Sequence, residues 1–285
     1  MFLAIMTMLS SGCGTKQMAT VAAVKKLGGE VQLGASDEVT AINLDGSKVS
    51  DDTLEHFKGL SSLKMLILSH TQVSDAGLVH LKGLSSLNSL FLDNTKITDA
   101  GLENLANFTE LVALGLSNTQ VSDEGLSKLE GMLDLEKLTL RNTQITDAGL
   151  VYLEGMTKLV DLSLGRTKIE GAGLVHLKGM TRLRSLDLSS SELRGEVLAS
   201  LNPLTSLQKL WIGNTKVADA DLVHLKGMTS LRLLMLSDTE VSDVGLLSLK
   251  GLTSLKMLFL QNTQVTDAGV KKLQAVLPQC KITLK

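Results

Sequence analysis

The chain has 285 residues, 44% of them apolar but only 2% aromatic, and a formal net charge of −2 at pH 7. Acids and bases are interspersed and leave no basic stripe for phosphates, so nucleic acid is excluded as an expected partner. Two cysteines, Cys13 and Cys280, supply neither a disulfide framework nor zinc spacing, and no apolar run nears the ~20 residues of a membrane-spanning helix.

The first residues, MFLAIMTMLSS, lead into Gly12-Cys13-Gly14. A short apolar run, then small residues, then cysteine resembles a bacterial lipoprotein signal, with Cys13 as the acylated first mature residue. The leucine lies four residues before Cys13 and no Lys or Arg precedes the run, departures that fit a truncated start. Residues 1–14 are therefore read as a signal and anchor segment. From Lys16 to Leu27, Met18, Val21, Ala22 and Val24 fall near helical spacing, and Gly28-Gly29 stops the helix. Val31 and Leu33 then alternate with polar residues, a turn comes at Gly34–Asp37, and Val39, Ile42 and Leu44 resume. This helix and hairpin, 15–38, are read as an N-terminal cap on the first layer of a repeat array.

From residue 39 the chain repeats itself every 24 residues. Leucine returns without a slip at 63, 87, 111, 135, 159, 183, 207, 231 and 255. A divergent first copy at 39–62 and nine full copies make ten repeats over 39–278, and 279–285 supplies one last strand through Ile282 and Leu284. A fixed period of this length means one supersecondary unit stacked many times. Within a copy, Leu66 and Leu68 share one strand face while Met65, Ile67 and Ser69 share the other. Ser74 then precedes Asp75, Leu78, Leu81 and Leu84 point inward, and Gly83 ends the short helix.

The pattern Leu-x-x-Leu-x-Leu-x-x-Thr-x-Ile/Val-x-Asp-x-Gly-Leu resembles the leucine-rich repeat family, in its 24-residue bacterial type. The resemblance implies an α/β solenoid, curved like the ribonuclease inhibitor, with a parallel β-sheet on the concave side and short helices on the convex side. The family places asparagine in the turn after the strand, bonding backbone groups of adjacent layers. Here Thr71, Thr95, Thr119, Thr143, Thr167, Ser191, Thr215, Thr239 and Thr263 hold that column, and their hydroxyls are expected to serve the same need.

Candidates for chemistry are few. Aspartates at 75, 99, 123, 147, 219, 243 and 267 form one column at helix starts, where capping and the helix dipole account for them. His56, His80, His176 and His224 share a convex column without further ligands, so no metal and no cofactor is expected. Asn107-Phe108-Thr109 is a formal glycosylation sequon. Gly171 and Gly195 stand where aspartate is expected, and Pro203 replaces a helix-ending glycine, a break read as a change of curvature or a docking notch.

The informative positions are those the repeat leaves free on the concave strands. Trp211, Leu233, Met235, Met257 and Phe259 fall on three successive strands and form one expected apolar patch. The middle of that face is polar, with Lys137, Arg141, Asp161, Arg166, Arg184 and Asp187; Arg141, Arg166, Asp161 and Asp187 are assigned to binding. Met65, Ile67 and Phe91 make a second apolar group near the cap. These residues point to a non-enzymatic scaffold that binds a protein, or a glycan, on its concave face and is lipid-tethered at Cys13 outside the bacterial cytoplasm. Secreted or cytoplasmic placement is the alternative, the latter with an adaptor resembling ubiquitin-ligase substrate-recognition repeats. A concave-face hydrolase built on Asp161 and Asp187 is the weakest reading.

Overall fold

The computed structural model describes residues 12–193 and 197–285. The run 1–11 and the Cys13 side chain, on which the signal reading rests, lie outside the described residues, as does Gly195.

Helix α1 (Gly12–Lys26) precedes twelve strands that form one sheet in chain order. They are β1 (Glu30–Leu33), β2 (Val39–Asn43), β3 (Met65–Ile67), β4 (Ser89–Phe91), β5 (Ala113–Gly115) and β6 (Lys137–Thr139). The series continues with β7 (Asp161–Ser163), β8 (Ser185–Asp187), β9 (Lys209–Trp211), β10 (Leu233–Met235), β11 (Met257–Phe259) and β12 (Lys281–Thr283). Only β1 is antiparallel, pairing Val31 with Ile42; from β2 onward every pair is parallel. The register matches equal positions of successive repeats, Leu66 to Leu90 and Leu234 to Leu258. Each strand from β3 to β11 therefore turns its middle leucine inward and its two outer residues to the other face.

The inward leucines form one continuous core: Leu66, Leu90, Leu114, Leu138, Leu162, Leu186, Leu210, Leu234 and Leu258 are all fully buried. Strands stack ~4.8 Å apart while helical layers need ~10 Å. The helical side is therefore the outside of the curve. At the N-terminal end Val24 of α1 is fully buried, and the Thr20 hydroxyl donates to the His56 carbonyl at 2.9 Å. Gly28, at φ +79°, ends α1.

The convex helices change character along the chain. Asp51–Leu54, Asp75–Leu78, Asp99–Leu102 and Asp123–Ser127 contain single α turns, whereas Asp147–Leu153 and its successors through Gly245–Leu249 are 3₁₀. A full α-helix returns at Asp267–Val276.

Two expectations about side chains need correction. The threonines of the turn column find their backbone partner in their own layer: Thr71 Oγ1 donates to Leu68 O at 2.6 Å within its own turn, and Thr95, Thr119, Thr143 and Thr167 do likewise, whereas Ser191 in the same column reaches Leu164 O of the preceding repeat at 3.5 Å. A hydroxyl on a short side chain finds the nearest carbonyl first. The aspartates, in turn, do more than favour their own helix start. Ser74 Oγ is the N-cap acceptor for Ala76 N–H, and the Asp51 carboxylate of the preceding repeat accepts both the Ser74 N–H (2.8 Å) and its hydroxyl (2.6 Å). The same two bonds join Asp75 to Thr98, Asp99 to Ser122, Asp123 to Thr146, Asp219 to Ser242 and Asp243 to Thr266. These carboxylates form an inter-repeat ladder.

The break in the repeat interrupts that ladder. Asp147 still reaches forward, accepting N–H bonds from Glu170, Gly171 and Gly173. Gly171, at φ +118°, then lies against Val197, whose Cγ1 would be 2.4 Å from an added Cβ. Val197 occupies the column held by Gly77 and Gly101 elsewhere, so a glycine and a bulky residue have exchanged places across one layer. The expected disturbance at this point is thus a local swap of small and large residues.

Candidate interaction surface

The outward residues of β3–β11 lie in two rows on one face of the sheet. One row runs Ile67, Phe91, Gly115, Thr139, Ser163, Asp187, Trp211, Met235, Phe259, as successive register partners. In the other row, Lys209 neighbours Leu233, Leu233 neighbours Met257, and Met257 neighbours Lys281. Trp211, Met235 and Phe259 therefore stand side by side on adjacent strands, with Leu233 and Met257 flanking them on the same face. Neighbours at strand spacing stack on one another, which leaves Trp211, Leu233, Met235 and Phe259 half-buried and Met257 40% exposed. At the opposite end Ile67 pairs with Phe91, beside Met65, which is 38% exposed.

Between the two apolar groups the face is polar and internally bonded. Arg141 Nη1 donates to Asp187 Oδ2 at 2.7 Å and to Ser189 Oγ at 3.0 Å, reaching across two repeats. Ser163 Oγ donates to Asp187 Oδ2, and the Ser189 N–H and hydroxyl both donate to Oδ1. Asp161 accepts from Ser185 Oγ at 2.9 Å. A shallow depression of about 470 Å³ opens here, lined among others by Lys137, Arg141, Asp161, Asp187, Lys209 and Trp211. Asp187 is thus held in place by Arg141, Ser163 and Ser189, and Asp161 by Ser185.

Arg166 does not join this group. It sits exposed in the turn after β7 at φ +56°, beyond the sheet edge, where the chain must turn sharply out of the strand. The same left-handed position is held by His70, Asn94, Asn118, Asn142, Ser190, Asn214, Asp238 and Asn262. Sequence reading passed over this column. Its signal was the recurrent asparagine, the residue that best tolerates a positive φ after glycine.

The remaining candidates stay apart from the sheet face. His176 pairs with Glu154 at 2.7 Å on the convex side, and the hydrogen bond from His176 holds the Glu154 carboxyl below its ordinary value. Among the described residues no three His, Cys, Asp or Glu side chains converge on a metal-sized site. Cys280 is buried, and that burial pushes its thiol up to about 11. No described helix is long and apolar enough to cross a membrane.

A leucine rich repeat family profile matches residues 37–97 and 134–193. The fold is that of a leucine-rich repeat solenoid. Among solved structures the chain is similar to internalin C2 of Listeria monocytogenes, at 26% identity and a TM-score of 0.60, over 73% of this chain and 84% of that one. It also resembles internalin F of the same organism, at 23% identity and TM-score 0.55, with 93% of each chain covered. The ectodomain of the Arabidopsis receptor kinase HAESA, in complex with a peptide hormone, shares the fold at 18% identity and TM-score 0.67, over 90% of this chain and 46% of that one. A search of curated proteins finds no significant match.

Proposed function

We propose that this protein is a non-enzymatic scaffold that binds a polypeptide on its concave face, with Trp211, Leu233, Met235, Met257 and Phe259 as the anchor. The observation that carries this reading is the register: it sets the chain's single tryptophan beside Met235 and Phe259 on an outward face, where the repeat itself asks for no large apolar residue. Partly exposed aromatic and methionine side chains clustered at one place are the composition of interface centres. These five side chains offer almost no hydrogen bonds to sugar hydroxyls, which favours a polypeptide over a glycan. The peptide-bound state of the HAESA ectodomain supports the same use of the fold.

Arg141, Asp161 and Asp187 orient the partner beside that anchor, Arg166 contacts it from the turn edge, and Met65, Ile67 and Phe91 form a secondary contact. Residues 15–38 act as the cap, and Cys13 is the lipid attachment that holds the solenoid outside the bacterial cytoplasm. Affinity capture with the full chain tests the anchor: the W211S/F259S variant should fold and lose partner recovery. Undiminished recovery with that variant would refute the site. Membrane fractionation of C13A against the parent tests the tether, and equal release of both would end it.

A further inference from the structure

Building on that reading of the Trp211 surface, we infer that its partner is an acidic segment, one in which aromatic or aliphatic residues alternate with Asp or Glu. The apolar block is bracketed by cations. In one row Lys209 and Lys281 stand at either end of Leu233 and Met257. Arg232 and Lys256 immediately precede β10 and β11, and all four cations are exposed. Among the described residues none of the four takes part in an ion pair. Strands β9–β12, together with the residue before each, contain no Asp or Glu.

The nearest acid in the rows, Asp187, pairs in register with Trp211 but is already bonded to Arg141. Asp238 lies past the end of β10, in the turn, where it accepts from Asn262. Against the one carboxylate of Asp238 stand these four cations, unpaired among the described residues, so the net charge around the anchor is positive, although the whole chain is at −2. At the other end of the same face the charges are mixed: Asp45 and Asp93 come just after β2 and β4, Asp45 is paired with His70, and Lys64 immediately precedes β3. An apolar centre with a cationic rim gains from a partner that supplies apolar side chains and negative charge together. An extended or helical chain fits into a hollow face, whereas a planar anionic bilayer does not reach it.

Trp211 is the only tryptophan, so its emission reports this surface directly. The full chain would be titrated with three short synthetic peptides sharing one Phe/Leu frame, with Glu, Lys or Ser at the intervening positions, and with phosphatidylserine vesicles. The Glu peptide should shift Trp211 emission to the blue, bind at least ~10-fold more tightly than the Lys peptide, and weaken as salt rises. In the K209E/R232E/K256E variant the preference should reverse. Equal binding of the Glu and Lys peptides, no shift with any peptide, a preference that survives charge reversal, or a shift with vesicles alone would overturn the inference. Partner capture separates the two levels. If W211S/F259S loses the partner while K209E/R232E/K256E keeps it, the surface stands and its acidic preference falls; if W211S/F259S keeps the partner, both fall.

Discussion

A Cβ placed on Gly101 would lie 2.2 Å from Oδ1 of Asp75, the carboxylate that reaches across from the preceding repeat to Thr98. Gly125 stands in the same relation to Asp99, Gly149 to Asp123, Gly245 to Asp219 and Gly269 to Asp243. Asp-x-Gly, as at 99–101 and 123–125, is thus two halves of two different contacts: its aspartate serves the next layer and its glycine admits the aspartate of the last. D75A should cost about 1–3 kcal/mol through the lost charged hydrogen bonds. G101A should cost about 1–3 kcal/mol through overpacking. The D75A/G101A pair should cost less than the sum, because the clash vanishes with the carboxylate. Urea denaturation measures all three. Gly227→Ala, with nothing within 4 Å of the new Cβ, is the control and should change stability little; simple additivity of the first two would contradict the contact.

The exchange at Gly171 and Val197 makes a second, converse case. G171D alone meets both Val197 and a left-handed backbone, and V197G alone leaves a hole beside Gly171. The G171D/V197G double should recover at least ~1 kcal/mol relative to additive behaviour, since it restores a carboxylate opposite a glycine. No coupling in a double-mutant cycle would show that the two columns are independent.

The ladder also predicts acid sensitivity. The Thr266 N–H first, and its hydroxyl second, hold the Asp243 carboxyl below its ordinary 3.8. A depressed carboxyl contributes stability that is present above the unfolded value and is lost as pH falls through the lower folded value. The stability difference between the parent and D243N should therefore be full near neutrality and shrink as pH drops below 3.8. Chemical denaturation at several pH values reads this directly, and a pH-independent difference would contradict it.

Cys280 should be chemically quiet in the folded protein. With its thiol pushed up to about 11 by burial, about one part in a thousand is thiolate near pH 8. In a C13S background, a thiol reagent should label the native chain far more slowly than the denatured one. Comparable rates would show that the last layer opens readily.

Much of this architecture is legible in the sequence because each leucine column answers to one packing layer. Leu63, Leu66 and Leu68 announce the core, and their return after 24 residues announces the stack. The destinations of polar side chains are less legible. Reading one repeat at a time assigns Asp75 to its own helix; its bonds go to Thr98, 23 residues on, visible only once layers are superposed. The coincidence of Gly171 with Val197 was the available signal for that contact, since each breaks the column that complements the other. Whether a convex turn is α or 3₁₀ was not legible: Asp75–Leu78 and the opening of Asp147–Leu153 carry the same letters, Asp-Ala-Gly-Leu. The rows of the concave face came from parity alone, so Trp211, Met235 and Phe259 could be placed together. Their half-burial could not, because it depends on how neighbouring side chains stack.

Methionine oxidation footprinting tests the central claim most directly. Met65 and Met257 lie at opposite ends of the same sheet face with nearly equal exposure, 38% and 40%, so protection at the secondary contact and at the anchor is compared on equal terms. On binding a captured partner, Met257 should be protected several-fold more than Met65. Equal oxidation of Met257 with and without partner, or protection confined to Met65, would place the contact elsewhere on the solenoid.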